Sequence, residues 1–144
     1  MTRPFGAAAA VAAALAAISA GAGADAAGFD PYKSFRTQWP TAYQSFVASL
    51  PAPARKVGWL ARQDDIASPN QMLQVAGKPR IYVFACKSHA CDTDQVHIFI
   101  TPDQKQVASV VRIGGVQRLL GGAGPVELAC VRKLDASGGQ AASC

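Results

Sequence analysis

The sequence predicts an α+β fold, in which one domain holds an antiparallel sheet of four to five strands flanked by helices. Three observations support this prediction. The 144 residues, half of them hydrophobic, are enough for one buried core and too few for two. Helical periodicity occurs before and after the middle of the chain. In the middle, short alternating segments follow one another through tight turns, and connections that short join only antiparallel strands.

The first segment has the organisation of a secretory signal peptide. Arg3 supplies a short positive region, and Phe5 to Ile18 is apolar and rich in alanine. The alternative is a retained transmembrane helix, for which Pro4 to Ala24 is long enough, but alanine and glycine are only weakly hydrophobic. We therefore predict a periplasmic protein with no membrane segment after cleavage. The predicted organisation is a signal peptide (1–26), one domain (27–135) and a small polar tail (136–144).

Three segments have helical patterns. In Thr37 to Leu50, Pro40 suits the first turn, and apolar residues recur at helical spacing until Pro51 ends the pattern. A shorter helical piece is expected at Ala54 to Ala61. The last helix is predicted at Pro125 to Leu134, which again begins with a proline.

The strand-like segments lie between these helices. A polar connection is expected at Asp64 to Asn70, and a weaker strand pattern surrounds Leu119 and Leu120. Apolar residues alternate along each clearer segment, as they do in sheets. The four clearer strands are Gln71 to Val75, Arg80 to Cys86, Gln95 to Ile100 and Gln106 to Ile113.

The composition argues against catalysis and against nucleic-acid binding. The chain has two histidines and one glutamate, Glu127, and it contains no nucleophile-elbow pattern and no phosphate-binding loop. The net charge of +5 comes from scattered basic residues rather than from a basic patch. We therefore predict a protein that is not an enzyme, has no cofactor and does not bind nucleic acid.

Four cysteines in an exported chain indicate two disulfides, and the count alone leaves three pairings open. A metal site is the alternative use of the same region, because Cys86, His89, Cys91 and His97 are potential ligands within twelve residues. Their spacing differs from the tight, repeated spacing of zinc knuckles. We therefore expect no metal.

The stretch from Cys86 to Cys91 is the most informative part of the sequence. It lies between two predicted strands, hence at the tip of a hairpin, where a bridge between the two cysteines would close a small ring. That ring would contain a cation (Lys87), a hydroxyl (Ser88), an imidazole (His89) and Ala90, with no carboxylate. Such a tip suits an acidic cleft. The simpler alternative is a turn with no function.

This hexapeptide resembles the hallmark loop of the inhibitor of vertebrate lysozyme (Ivy) family, which reads Cys-Lys-Pro-His-(Asp)-Cys. Cys86, Lys87, His89 and Cys91 match that motif. A looser similarity extends from the first predicted helix to about Leu134. The resemblance implies an antiparallel sheet flanked by helices, a periplasmic location, and a protruding disulfide-closed hairpin loop.

In the family, that loop enters the active-site cleft of c-type lysozyme and occludes it. The resemblance implies that His89 meets the catalytic carboxylates, that Lys87 is an auxiliary cation, and that Cys86 pairs with Cys91. Cys130 would then pair with Cys144, unless Cys130 is a buried free thiol. The resemblance thus implies c-type lysozyme as the protein partner, and we expect a monomer or a homodimer.

Two residues depart from the motif. Ser88 stands where the family has proline, and Ala90 stands where it commonly has aspartate, so the ring loses a backbone restraint and a carboxylate. The net charge of +5 also opposes the approach of a basic lysozyme. These departures leave endogenous lytic transglycosylases as an alternative target.

Overall fold

The structure is a computed structural model that describes residues 28–144. The predicted signal peptide, residues 1–26, lies outside the described residues. Within residues 28–144, the helices are all too short or too polar to cross a membrane.

Six antiparallel strands form one sheet, in which both β1 and β2 pair with β3, and the order continues through β4 and β5 to β6. The sheet is therefore five strands wide, and the predicted α+β class is confirmed. The extra element is β1, a two-residue strand within the predicted polar connection. The strands are β1 (Ile66–Ala67), β2 (Gln71–Val75), β3 (Lys78–Cys86), β4 (Gln95–Ile100), β5 (Val107–Ile113) and β6 (Val116–Leu120).

Helices precede and follow the sheet. The predicted helix Thr37 to Leu50 is in fact two helices that meet at Trp39, whose φ of −131° and ψ of 68° are not helical. The break has a local cause, because the residue before a proline is driven out of the helical region, and Pro40 then begins the second helix. The helices are α1 (Phe35–Gln38), α2 (Pro40–Ser49), a 3-10 turn (Ala54–Lys56), α3 (Gly58–Ala61) and α4 (Pro125–Ala136).

The sheet separates two apolar layers. One face of β3 and β4 packs against α1, α2 and α3, whereas the opposite face packs against α4 and the C-terminal residues. Val96 and Ile98 point into the first layer, and His97 and Phe99 into the second, as the alternation predicted. Because both faces are covered, all six residues of β4 are buried.

The C-terminal residues are tied to the sheet. Cys130 of α4 forms a disulfide with Cys144. The Cys144 N–H donates to the carbonyl of Gln74, 2.8 Å away, and the Ala76 N–H donates to the carbonyl of Cys144, 3.1 Å away. The tail therefore runs along β2, and the predicted pairing of Cys130 with Cys144 is confirmed.

Candidate functional site

Residues 87–94 form the loop that joins β3 to β4, at the end of the sheet where Cys86 pairs with Gln95. Cys86 and Cys91 form the disulfide that the motif implied. The Lys87 N–H donates to the carbonyl of Asp94, 2.9 Å away, and so closes the base of the loop. The structure thus contains the hairpin with a disulfide-closed ring at its tip. We call residues 87–94 the recognition loop, after the binding role that the motif resemblance implies for it.

The tip is a tight turn from Lys87 to Ala90. The Ala90 N–H donates to the Lys87 carbonyl, 3.0 Å away, and His89 has a φ of +62°. This combination is typical of a type II turn, in which the third residue takes positive φ and proline is favoured at the second. Ser88 holds that second position, so the proline of the family motif would fit the same turn.

Exposure differs along the ring. The side chains of Lys87 and His89 are exposed, whereas Ser88 and Ala90 are half-buried. Of the four residues that match the motif, Lys87 and His89 are therefore the two that are exposed to solvent or to a partner. They offer N–H donors and positive charge, which suits carboxylate acceptors.

Asp65 anchors one side of the tip. Its Oδ2 atom accepts a hydrogen bond from the Ser88 N–H, 2.7 Å away. Asp65 comes just before β1, and Ile66 of β1 pairs with Cys86, so the sheet itself brings this carboxylate to the ring. Asp65 was not among the predicted site residues, because a contact across 23 residues leaves no local sequence pattern.

The turn between β5 and β6 anchors the other side. Gly114 and Gly115 have φ values of +55° and +79°, as a two-residue hairpin turn requires. The Gly115 N–H donates to the carbonyl of Thr93, 2.9 Å away, and the Gly114 N–H donates to Oδ1 of Asp94, 3.0 Å away. This bond from Gly114 is the main reason that the pKa of Asp94 lies below its usual value.

Two further side chains hold the loop from the sheet. Arg112 donates to the carbonyl of Asp92, 3.1 Å away. The Gln95 amide, oriented to satisfy its neighbours, donates to the carbonyl of Cys91 at 2.7 Å and accepts from Arg112 at 2.9 Å. The recognition loop is therefore fixed by main-chain contacts on both flanks.

A second polar cluster lies in the layer beneath α4. The Tyr82 hydroxyl is 2.8 Å from Nδ1 of His97, and Nε2 of His97 is 3.6 Å from Oδ1 of Asp135. Burial lowers the pKa of His97 to about 4, against the opposing effect of Asp135, and Arg112 lowers it further. Burial, with a smaller effect of Asp135, raises the pKa of Tyr82. His97 is therefore neutral at pH 7.

The alternative metal site is not assembled in this oxidised chain. The disulfide occupies the sulfur atoms of Cys86 and Cys91, His89 lies on the exposed tip, and His97 bonds to Tyr82 in the interior. Across residues 28–144, no group of three or more His, Cys, Asp or Glu side chains is placed to hold a metal ion.

A cavity of about 190 Å³ adjoins the buried cluster, between the sheet and the C-terminal end of α4. Tyr82, His97 and Asp135 contribute to its lining. The first two bond to each other, and Asp135 also faces Arg112, whose Nη2 atom is 3.6 Å from Oδ2 of Asp135. These polar groups are already paired with one another, so we do not assign a ligand to the cavity. We place the candidate functional site on the recognition loop instead.

No family model matches the sequence, and no curated protein matches it either. What the recognition loop does is therefore inferred from its own geometry together with the motif resemblance. The structure brings Lys87, Ser88, His89 and Ala90 together in one ring, closed by Cys86 and Cys91. Cys130 and Cys144 form their bridge elsewhere, on the α4 face of the sheet.

Proposed function

We propose that the protein is an exported inhibitor of c-type lysozyme, which inserts the recognition loop into the active-site cleft. The observation that carries the proposal is the exposed His89 on a disulfide-closed ring that is fixed on both flanks. The match of Cys86, Lys87, His89 and Cys91 to the Ivy motif supports the same function. Inhibition would be competitive and non-covalent.

The chemistry of the target suits this tip. A retaining glycosidase holds two carboxyl groups about 5–5.5 Å apart around the scissile bond. In lysozyme, one of them acts as the acid and the other stays ionised. An imidazole between them donates a hydrogen bond from each ring nitrogen once it is protonated, and the nearby carboxylates favour that protonated form. We assign this role to His89, with Lys87 as an additional cation.

The rigidity of the loop favours tight binding. Ordering a flexible side chain on binding costs roughly 0.5–1.5 kcal/mol. The disulfide and the hydrogen bond that Asp65 accepts from Ser88 already restrict the ring in the free protein. The bonds donated by Arg112 and by the Gly114–Gly115 turn hold the rest of the recognition loop. Much of the ordering is therefore complete before the partner arrives.

Two disulfides indicate that the chain folds in a non-reducing compartment. This agrees with export. The periplasm as that compartment is part of the proposal, together with protection of peptidoglycan as the biological role.

The test is inhibition of c-type lysozyme on a cell-wall suspension, with the oxidised wild type compared with His89→Ala and Lys87→Ala. We expect His89→Ala to weaken inhibition at least about tenfold, as the loss of a buried anchor residue does. Lys105→Ala is the matched control for Lys87→Ala, because it removes an exposed lysine from the β4–β5 turn. Equal inhibition by wild type and His89→Ala would mean that a residue other than His89 occupies the active-site cleft. No inhibition by wild type with the Cys86–Cys91 bridge intact would exclude lysozyme as the target.

The net charge leaves room for a second candidate target. At +5, the protein is repelled at long range by a basic lysozyme, which slows association. An endogenous lytic transglycosylase has a catalytic acid in a related cleft, and the same loop chemistry suits it. The same variants, assayed against a purified lytic transglycosylase, test this alternative.

A further inference from the structure

We propose that Asp65 is the carboxylate of the recognition loop, although it lies outside the disulfide ring. One oxygen positions the tip by holding Ser88, and the other accepts a hydrogen bond from a donor at the rim of the partner's cleft. The inference deepens the proposed function and rests on it for the identity of the partner.

The positioning role follows from the bond to Ser88. Oδ2 of Asp65 accepts the Ser88 N–H at 2.7 Å, and hydrogen bonds to an ionised acceptor are stronger than neutral ones. Ser88 is the residue immediately before His89, whose φ is +62°. A hydrogen bond at Ser88 fixes the orientation of the main chain just before His89, the residue with positive φ. Asp65 thus controls where the imidazole of His89 is presented.

This contact depends on the main-chain N–H of Ser88. A proline at position 88 would restrict φ, but it has no N–H and could not bond to Asp65. In this chain, the hydrogen bond to Asp65 restrains position 88. The ring itself contains no carboxylate, and Asp65 places one beside it from a neighbouring element.

The recognition role follows from the exposure of Asp65. Its side chain is exposed, and the Ser88 N–H bonds only to Oδ2. Within residues 28–144, Oδ1 makes no hydrogen bond or salt bridge, so it is available to a partner. The tip then offers donors at Lys87 and His89 and an acceptor at Asp65. The complementary partner has carboxylates at the centre of its cleft and an arginine, lysine or amide donor beside them.

Two substitutions separate the two roles. Asp65→Ala removes the acceptor and the charge, whereas Asp65→Asn retains an oxygen that can accept the Ser88 N–H. Asp64→Asn is the matched control, because it neutralises the adjacent exposed carboxylate, which pairs with Arg62 at 2.8 Å instead of with the loop. The readouts are amide hydrogen exchange at Ser88 in the free protein and the Kd for purified c-type lysozyme.

In Asp65→Ala, we expect exchange at Ser88 to accelerate about tenfold, given the usual strength of a bond to a charged group. We expect its affinity to fall at least fivefold. In Asp65→Asn, exchange should change less than threefold while the affinity still falls, because the charged acceptor is lost. Asp64→Asn should alter neither quantity.

Unchanged hydrogen exchange at Ser88 in Asp65→Ala would overturn the positioning role, whatever the Kd for lysozyme. Affinities of Asp65→Ala and Asp65→Asn equal to that of wild type would overturn the recognition role. If the wild type itself does not bind c-type lysozyme, the proposed function fails and the recognition role fails with it. The exchange experiment still decides the positioning role in that case.

Discussion

The hydroxyl of Tyr82 lies 2.8 Å from Nδ1 of His97, and both side chains are more than nine-tenths buried between the sheet and α4. A neutral imidazole carries one proton, so one ring nitrogen accepts and the other donates. With Tyr82 as the donor to Nδ1, the proton of His97 lies on Nε2, which faces Asp135 and the Gln95 amide. The hydrogen bond between Tyr82 and His97 thus gives each of these two polar side chains a partner inside an apolar layer.

Burial of His97 makes the stability of the fold depend on pH. The folded pKa of about 4 lies below the ordinary value of 6.5, so the unfolded chain takes up the proton first as the pH falls. The contribution of neutral His97 to the stability of the fold is therefore fully present above pH 6.5 and is lost as the pH falls towards 4. By linkage, we expect the free energy of unfolding to fall by about 2 kcal/mol between pH 8 and pH 5. Urea unfolding across that range measures it.

The other histidine provides the control for this pH dependence. His89→Ala should retain the decline, because His89 is exposed, whereas His97→Gln should flatten it. An NMR titration of the imidazole signals gives an independent check. A His97 signal that titrates near pH 6.5 would contradict the prediction.

Tyr82→Phe should destabilise the fold by about 1–2 kcal/mol, because it leaves the buried Nδ1 of His97 without its donor. Tyr32→Phe is the control. Tyr32 is 84% exposed, so the loss of its hydroxyl should change the stability of the fold little. Chemical denaturation of the two variants and the wild type makes the comparison. Equal stability of all three proteins would show that the Tyr82–His97 bond contributes nothing.

Gly121→Ala should be severely destabilising, by about 3 kcal/mol or more. Gly121 has a φ of +64°, and a Cβ atom there would overlap the main-chain carbonyl of Val107, which cannot move aside without breaking β5. Gly122→Ala is the matched control. Gly122 also has positive φ, but no atom lies within 4 Å of the added Cβ, so we expect only about 1 kcal/mol. Urea midpoints that are lowered equally in the two variants would refute the overlap.

The two disulfides should separate stability from inhibition. Cys130 and Cys144 are 14 residues apart, and loop-closure entropy predicts a loss of about 3 kcal/mol when both become serine. Cys86 and Cys91 are only five residues apart, for which the same relation gives about 2 kcal/mol. Only the second double variant should lose the lysozyme inhibition that we propose. The variant that loses more stability should therefore keep inhibition, and the variant that loses less should lack it. Denaturation curves and inhibition assays on both proteins test this.

The strands that carry the site could be predicted because their patterns are local. Alternation along β3 and β4 predicts which residues face each layer, and the motif implied the Cys86–Cys91 bridge. β1 could not be predicted in this way. Its two residues are exposed, and it exists because the sheet edge at Cys86 offers it hydrogen bonds.

The missed parts of the site depend on contacts between distant segments. Asp65 and Ser88 meet only because β1 pairs with the end of β3. Likewise, nothing adjacent to His97 in sequence indicates that Tyr82 and Asp135 enclose it. The break at Trp39 is different, because the rule for a residue before proline was sufficient to predict it.

The recognition loop is held almost wholly through its main chain. The bonds use the N–H groups of Lys87 and Ser88 and the carbonyls of Cys91, Asp92 and Thr93, and they need neither the Lys87 nor the His89 side chain. The hydrogen bonds that hold the loop therefore do not depend on the side chains at positions 87 and 89, and the positive φ at 89 is the one backbone restraint on the choice of residue there. A library randomised at these two positions would present new chemistry on an unchanged backbone. Position 89 should favour glycine, asparagine and aspartate, which tolerate its left-handed conformation.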